Sequence, residues 1–291
     1  MDKVLIIGCG YMGKRVAKLE QARGSKITAL VRSKSSAKEL ERLGIESIAG
    51  DLDGQNALPC LPLENTILYY FAPPPPLGLE DIRMKAFTEK HSKPPFPKVA
   101  VLISTTGVYG NCNGEWITEE RPPAPQAARA TRRLSAEKTL KSWGEKTGTP
   151  VIVLRVPGIY GPGKLPVKRL KEGLPLLREA ESPFSNRIHA DDLADACFAA
   201  ARNGRRASLY NICDGHPTTM TDYFYKVADL LKIKRPPAIS LEEAKKELSK
   251  GMLSYLAESK RLNNRLMREE LGVTPKYPDL DSGLPSCING Q

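Results

Sequence analysis

The chain has 291 residues, of which 41% are hydrophobic and 26% charged, and a formal net charge of +11. That length buries a substantial core, and the charge suits an anionic ligand. The basic residues are interleaved with carboxylates from Arg15 to Arg268, with no dense Lys/Arg tract or aromatic-basic motif, so no nucleic-acid partner is expected. Cys9, Cys60, Cys112, Cys197, Cys213 and Cys287 are scattered without C-x-x-C or paired Cys/His spacing, which predicts neither a disulfide framework nor a metal site. No signal-like segment precedes the first strand and no apolar run is long enough for a bilayer, so a cytoplasmic protein without membrane contact is expected.

The apolar run Val4–Ile7 reads as a buried parallel strand, and Gly8, Gly10 and Gly13 follow it as G-x-G-x-x-G, where strand would turn into helix. A helix over Tyr11–Ala22 comes next, then strands at Ile27–Val31 and Ile45–Ile48 flanking a helix at Ser36–Leu43. Further strands at Thr66–Phe71, Val99–Ile103, Val151–Leu154 and Ser208–Ile212 alternate with helices at Leu79–Glu89, Pro125–Lys146 and Ala190–Ala201. Prolines place loops at Ala72–Gly78 and Pro94–Pro97. This rhythm predicts an α/β fold with a Rossmann-type doubly wound parallel sheet. It breaks between Gly158 and Asn186, and helices dominate after Gly215, around Asp222–Leu231, Leu241–Leu248 and Ser259–Leu271. The expected division is a dinucleotide-binding domain of residues 1–157 plus 187–214, and a small, mainly helical substrate lobe of residues 158–186 plus 215–291.

The three glycines serve different ends. Gly8 makes the tight turn, Gly10 allows close approach of a pyrophosphate, and Gly13 lets helix pack on strand. Tyr11 and Met12 open the helix whose free N–H groups would face the phosphates. An Asp or Glu about 20 residues past the glycines would bind an NAD ribose. The second strand instead runs into Arg32-Ser33-Lys34. A guanidinium at Arg32, with Ser33 beside it, matches a 2′-phosphate, so NADP is expected ahead of NAD, which stays open. Asp51 and Leu52 after the third strand fit an adenine contact, or equally a capped turn.

Together these pieces resemble the extended and atypical short-chain dehydrogenase/reductase family, the NAD(P)-dependent epimerases and dehydratases. Ser104-Thr-Thr-Gly-Val-Tyr-Gly110, Arg155-Val-Pro-Gly-Ile-Tyr-Gly-Pro-Gly163 and Arg187-Ile-His-Ala-Asp-Asp-Leu193 complete the set, in the family's order over roughly residues 1–215. The resemblance implies hydride transfer between a substrate carbon and nicotinamide. A tyrosine four residues before a lysine would carry the hydroxyl proton, the lysine would bind the nicotinamide ribose, and a Ser or Thr would hold the substrate oxygen. Thr105 falls at that Ser/Thr position and Lys138 is taken as the lysine, with Leu134 in the tyrosine's place. Pro157 and Gly158 would lie near the nicotinamide amide. Thr105, Tyr109, Tyr160, His189 or water are the candidate substitutes for the missing tyrosine. A structural role is the competing reading of Tyr109, Tyr160 and His189.

The segment Ser185-Asn-Arg-Ile-His189 departs from the nucleotide-sugar epimerases, which carry a diphosphate-binding arginine before Ile-His in a different register. Arg155 would either touch substrate or pair within the sheet, and Asp191 and Asp192 read as helix caps. Family members dimerise through paired helices, which makes Pro125–Lys146 the candidate face of a homodimer, with a monomer left open. Two functions follow: an NADP-dependent enzyme acting on a small hydroxyl or carbonyl substrate, a sugar nucleotide among the options, or a cofactor-binding sensor without turnover.

Overall fold

A computed structural model describes residues 1–54, 58–205 and 208–288. Seven parallel strands form one sheet: β1 (Lys3–Ile7), β2 (Lys26–Val31), β3 (Glu46–Ala49), β4 (Thr66–Tyr70), β5 (Val99–Thr105), β6 (Val151–Val156) and β7 (Leu209–Asn211). Their spatial order is β3-β2-β1-β4-β5-β6-β7. The chain is doubly wound because the strands are apolar on both faces. Val4 and Ile6 of β1 enter one core with Val16 and Ala17, whereas Leu5 and Ile7 enter a second with Phe87, Leu140 and Trp143.

The first core is closed by α1 (Tyr11–Ala22) and α5 (Ala190–Asn203), with α2 (Lys34–Arg42) beside β3. The second is closed by α3 (Ile82–Lys90) and α4 (Ala128–Thr147). Asp81 caps α3 by accepting from the Arg83 and Met84 amides, and Gly148 ends α4 in a left-handed conformation. The strand order reverses between β1 and its neighbours β2 and β4, which opens a crevice at the carboxyl ends of the strands.

A third core lies beyond those ends. Tyr160, Leu170 and Leu176 pack there against α6 (Met220–Leu230) and against Leu280 and Leu284. Helices at Met220–Leu230, Leu241–Glu247 and Lys250–Leu256 dominate it after Gly215, and short strand pairs accompany them. Gly158–Tyr160 pairs with Arg187–His189, Leu176–Leu177 with Ala238–Ile239, and Phe184–Ser185 with Thr218–Thr219. The predicted helix Ser259–Leu271 is corrected. Its first half is extended, with Arg261–Leu262 paired to Trp116–Ile117, and only Arg265–Glu269 is helical. The Asn186 amide explains this, donating to the Lys260 carbonyl at 3.0 Å and accepting from the Leu262 amide at 2.9 Å, which occupies backbone groups a helix would need.

Candidate active site

The glycine turn forms the floor of a cavity of about 760 Å³ at the strand-order reversal. Gly8 takes φ +91°, and a Cβ there would lie 2.5 Å from the Ala72 nitrogen. A Cβ on Gly13 would lie 2.9 Å from the Gly8 carbonyl oxygen, so α1 rests directly on the turn. At Gly10 a Cβ would meet nothing within 4 Å, leaving bare backbone on the cavity floor. Tyr11 and Met12 also line the cavity, and the Tyr11 hydroxyl donates to the Pro162 carbonyl at 3.0 Å, tying the turn to the loop after Tyr160. The thiol of Cys9, within the turn, is pushed up to about 11 by burial and stays protonated at neutral pH.

Arg32, Ser33, Asp51 and Leu52 line the same cavity. Ser33 also caps α2 by accepting from the Ser36 amide at 3.1 Å. Arg32 is exposed and lies 3.5 Å from Asp53, whose carboxylate is bound more tightly, at 2.6 Å, by both Nε and Nη2 of Arg83. Arg83 in turn donates to the Pro73 carbonyl at 2.9 Å, holding the four-proline loop against the cleft.

A second cavity, of about 500 Å³, adjoins the first, and Pro73 and Arg133 line both. Thr105, Pro157 and Gly158 all face it. The Thr105 hydroxyl accepts from the Gly107 amide at 3.2 Å. A Cβ on Gly158 would lie 2.0 Å from Nη1 of Arg187, so only glycine lets that guanidinium reach the wall.

Helix α4 corrects the expected catalytic couple. Its cavity-facing residues are Arg129, Ala130, Arg132 and Arg133, and Glu137 continues that face into the interior. Leu134 and Lys138 are turned about 100° further round the helix than Arg133 and Glu137. Leu134 lines neither cavity, and Lys138 is exposed in an outer groove with Lys85, Glu89 and Lys146. Lys138 is therefore not placed to hold a nicotinamide ribose. The four-residue spacing of the family's tyrosine and lysine recurs on the cavity face as Arg129 and Arg133, and no residue of α4 is a tyrosine.

The remaining candidates support the fold. Glu137 is buried and accepts from Nε and Nη2 of Arg155, at 3.2 and 2.8 Å, and from the Ser104 hydroxyl. Arg155 is thus spent within the sheet and its helix. The Tyr109 hydroxyl donates to Asn211 at 2.7 Å, and that of Tyr160 to the Asp279 carbonyl at 3.2 Å. His189 caps α5 by accepting from the Asp191 amide at 3.2 Å, and burial holds its pKa below the usual histidine range. Asp192 accepts from the amides of Lys276 and Tyr277, and Asp191 pairs with Arg15 at 3.0 Å.

A parallel sheet with bare glycine backbone at its reversal point and a second cavity alongside defines a dinucleotide-binding protein class, and known proteins similar to this chain agree. Residues 90–213 match the NAD dependent epimerase/dehydratase family. Protein YeeZ of Escherichia coli strain K12 is 26% identical over 292 residues, covering 96% of this chain and 97% of that protein. A functionally unknown conserved protein from Silicibacter pomeroyi DSS superposes with a TM-score of 0.84 at 26% identity, over 99% of both chains. The UDP-glucose 4-epimerase of Thermotoga maritima, solved with UDP-glucose, gives 0.77 at 19% identity, over 99% of this chain and 97% of that one, a likeness of fold. Human dTDP-D-glucose 4,6-dehydratase is 24% identical over 140 residues, which span 45% of this chain and only 40% of that protein. The central part of the chain thus matches the NAD-dependent epimerase/dehydratase family, and the whole chain is similar in sequence and fold to the two full-length proteins. No helix among the described residues is long and apolar enough to cross a membrane.

Proposed function

We propose that the chain is an NADP-preferring oxidoreductase that moves a hydride to or from a hydroxyl or carbonyl substrate in the 500 Å³ cavity, without the family's tyrosine. The observation that carries this reading is the shared wall: Arg133 and Pro73 line both cavities, so a substrate and a dinucleotide would meet there. The dinucleotide supplies the hydride acceptor or donor. Gly8, Gly10 and the start of α1 offer backbone N–H groups to its pyrophosphate. Arg32 and Ser33 hold the 2′-phosphate, and Asp51 and Leu52 flank the adenine.

In the second cavity the Thr105 hydroxyl orients the substrate oxygen, and the fixed charge of Arg133 stabilises negative charge developing on it. An arginine is too weak an acid to give up its proton at neutral pH. The proton is therefore taken from water in the reducing direction and released to water in the oxidising one, and turnover is slower by about 10²–10⁴-fold than with a positioned acid.

Fluorescence titration with NADPH and NADH, followed by a substrate panel read at 340 nm, tests this. NADPH should bind at least tenfold more tightly than NADH, and Arg32→Ala should erase the difference by weakening NADPH alone. Equal binding of the two would remove the 2′-phosphate assignment. The lack of a tyrosine on α4 favours a second reading, a cofactor-binding sensor, and NADPH binding with no turnover across the panel would select it.

A further inference from the structure

The second cavity carries more positive charge than the protein neutralises. Arg129, Arg132, Arg133 and Arg187 all line it, and among the described residues none of the four has a carboxylate within 4 Å. The cavity's one acid, Glu258, is taken by Lys260 at 2.7 Å. Elsewhere the pattern is the opposite: buried Arg155 is paired with Glu137 at 2.8 Å and Arg202 with Glu20 at 2.7 Å.

Among the described residues, each of the four guanidinium groups makes a single hydrogen bond to the protein. Arg129 donates to the Ser254 hydroxyl at 2.7 Å, Arg132 to the Gly78 carbonyl at 2.7 Å, Arg133 to the Ala72 carbonyl at 3.2 Å, and Arg187 to the Asn186 carbonyl at 3.3 Å. A guanidinium has five N–H donors, so most of theirs are unspent. Arg132 is only 8% exposed, and its Nε, like that of Arg187, is buried without a partner. Arg129 stacks on Tyr255 at 3.7 Å and Arg187 on Tyr223 at 4.1 Å, which fixes their planes without neutralising them.

Taking several unpaired cations out of water is costly, and the groups around them relieve that cost only by bringing a counter-charge. Burial holds the pKa of Arg133 and Arg187 below the usual arginine range, in the direction of that cost. Carbonyl contacts that pin the proline loop account for one donor each on Arg132 and Arg133, and leave the charge standing.

We infer that the substrate of this chain carries a multiply charged oxyanion, a phosphate or a dicarboxylate, bound by Arg129, Arg132, Arg133 and Arg187 at the wall where the family places its proton-shuttling pair. This rests on the reading of the second cavity as the substrate site. Where the family resemblance places a proton shuttle, the same helix positions here grip charge, so the anionic group lies beside the reacting carbon.

The test is calorimetric titration of inorganic phosphate, and separately of malonate, into protein saturated with NADPH, with NADPH binding measured alongside. Phosphate or malonate should bind at millimolar concentration or better, and affinity should fall as chloride is raised. Arg129→Gln and Arg187→Gln should each weaken it at least tenfold, with NADPH affinity held within twofold. Arg129→Lys, which keeps a charge and loses the fork, should recover part of the loss. The stronger of the two probes identifies the oxyanion. With NADPH bound, silence from both probes overturns the inference and leaves the cofactor reading standing. Anion binding that the two variants leave unchanged, or that NADPH abolishes, also overturns it. Failure of NADPH to bind at all sinks the broader reading instead, and in that case the same anion titration on the cofactor-free protein judges the arginine site alone.

Discussion

Gly10 and Gly13 stand three residues apart and need glycine for different reasons, so the same substitution separates them. A methyl on Gly10 enters open space above the turn. Gly10→Ala should therefore cost less than about 1 kcal/mol of stability and weaken NADPH at least tenfold, because the methyl occupies the approach of the pyrophosphate. A methyl on Gly13 meets the Gly8 carbonyl at 2.9 Å and the Ile6 side chain at 3.2 Å. Overpacking of that kind costs about 1–3 kcal/mol, which outweighs the roughly 1 kcal/mol that alanine adds inside a helix. Gly13→Ala should accordingly lower the melting temperature of the unliganded protein. Thermal melts and NADPH titrations on both variants check the pair. An unliganded Gly10→Ala protein that melts well below wild type would show that its position is structural.

At the scale of the element, α4 shows why the strands are legible in the sequence and the site on α4 is not. Strands buried on both faces are written as apolar runs, Val4–Ile7 and Val151–Leu154 among them, and these fall within β1 and β6 as observed. The buried face of α4 is mixed instead: Arg132 and Glu137 are turned inward beside Ala136, Leu140 and Trp143, and lysines sit among exposed residues on the other side. With charged residues set into the helix's first, cavity-facing turns, the sequence does not show which of them points inward, and residue type alone matches Lys138 to the family's lysine. The readable signal is the i, i+4, i+8 spacing of Arg129, Arg133 and Glu137. The exposed groove beside Lys138, which also lies on the face expected to pair two copies, carries the charged side chains of Lys85, Glu89 and Lys146 around Trp143. Glu137 gives this element a sharp test. Its carboxylate neutralises Arg155 between β5, β6 and α4, and loss of one partner from a buried pair costs about 3–5 kcal/mol. Chemical denaturation of Glu137→Ala should show a loss of that size, against under about 1 kcal/mol for Lys138→Ala on the exposed face.

At the scale of the whole molecule, the sheet and the third core meet just after β7, where the Asp214 amide donates to the Arg187 carbonyl at 2.9 Å. The Asp214 side chain is buried there, accepting from the His216 amide at 3.0 Å through one oxygen while the other has no partner. Burial raises its pKa to about 7, with Asp279 adding to the rise and Arg187 and the backbone amides opposing it. A carboxyl raised in the folded state alone binds a proton that the unfolded chain has already released. Stability from this group is therefore fully present below about pH 4, declines as pH climbs toward 7, and is level above it. The slope through that window is at most about 1.4 kcal/mol per pH unit. Asp214→Asn keeps an oxygen for the His216 amide and removes the titration. Other groups titrate equally in both proteins, so the difference in unfolding free energy between variant and wild type isolates Asp214. Urea melts at pH 5 and pH 8 should show the variant gaining on wild type as pH rises. A difference that stays constant between the two pH values would mean that Asp214 is already ionised at pH 5, and that the joint between sheet and third core carries its charge at no cost.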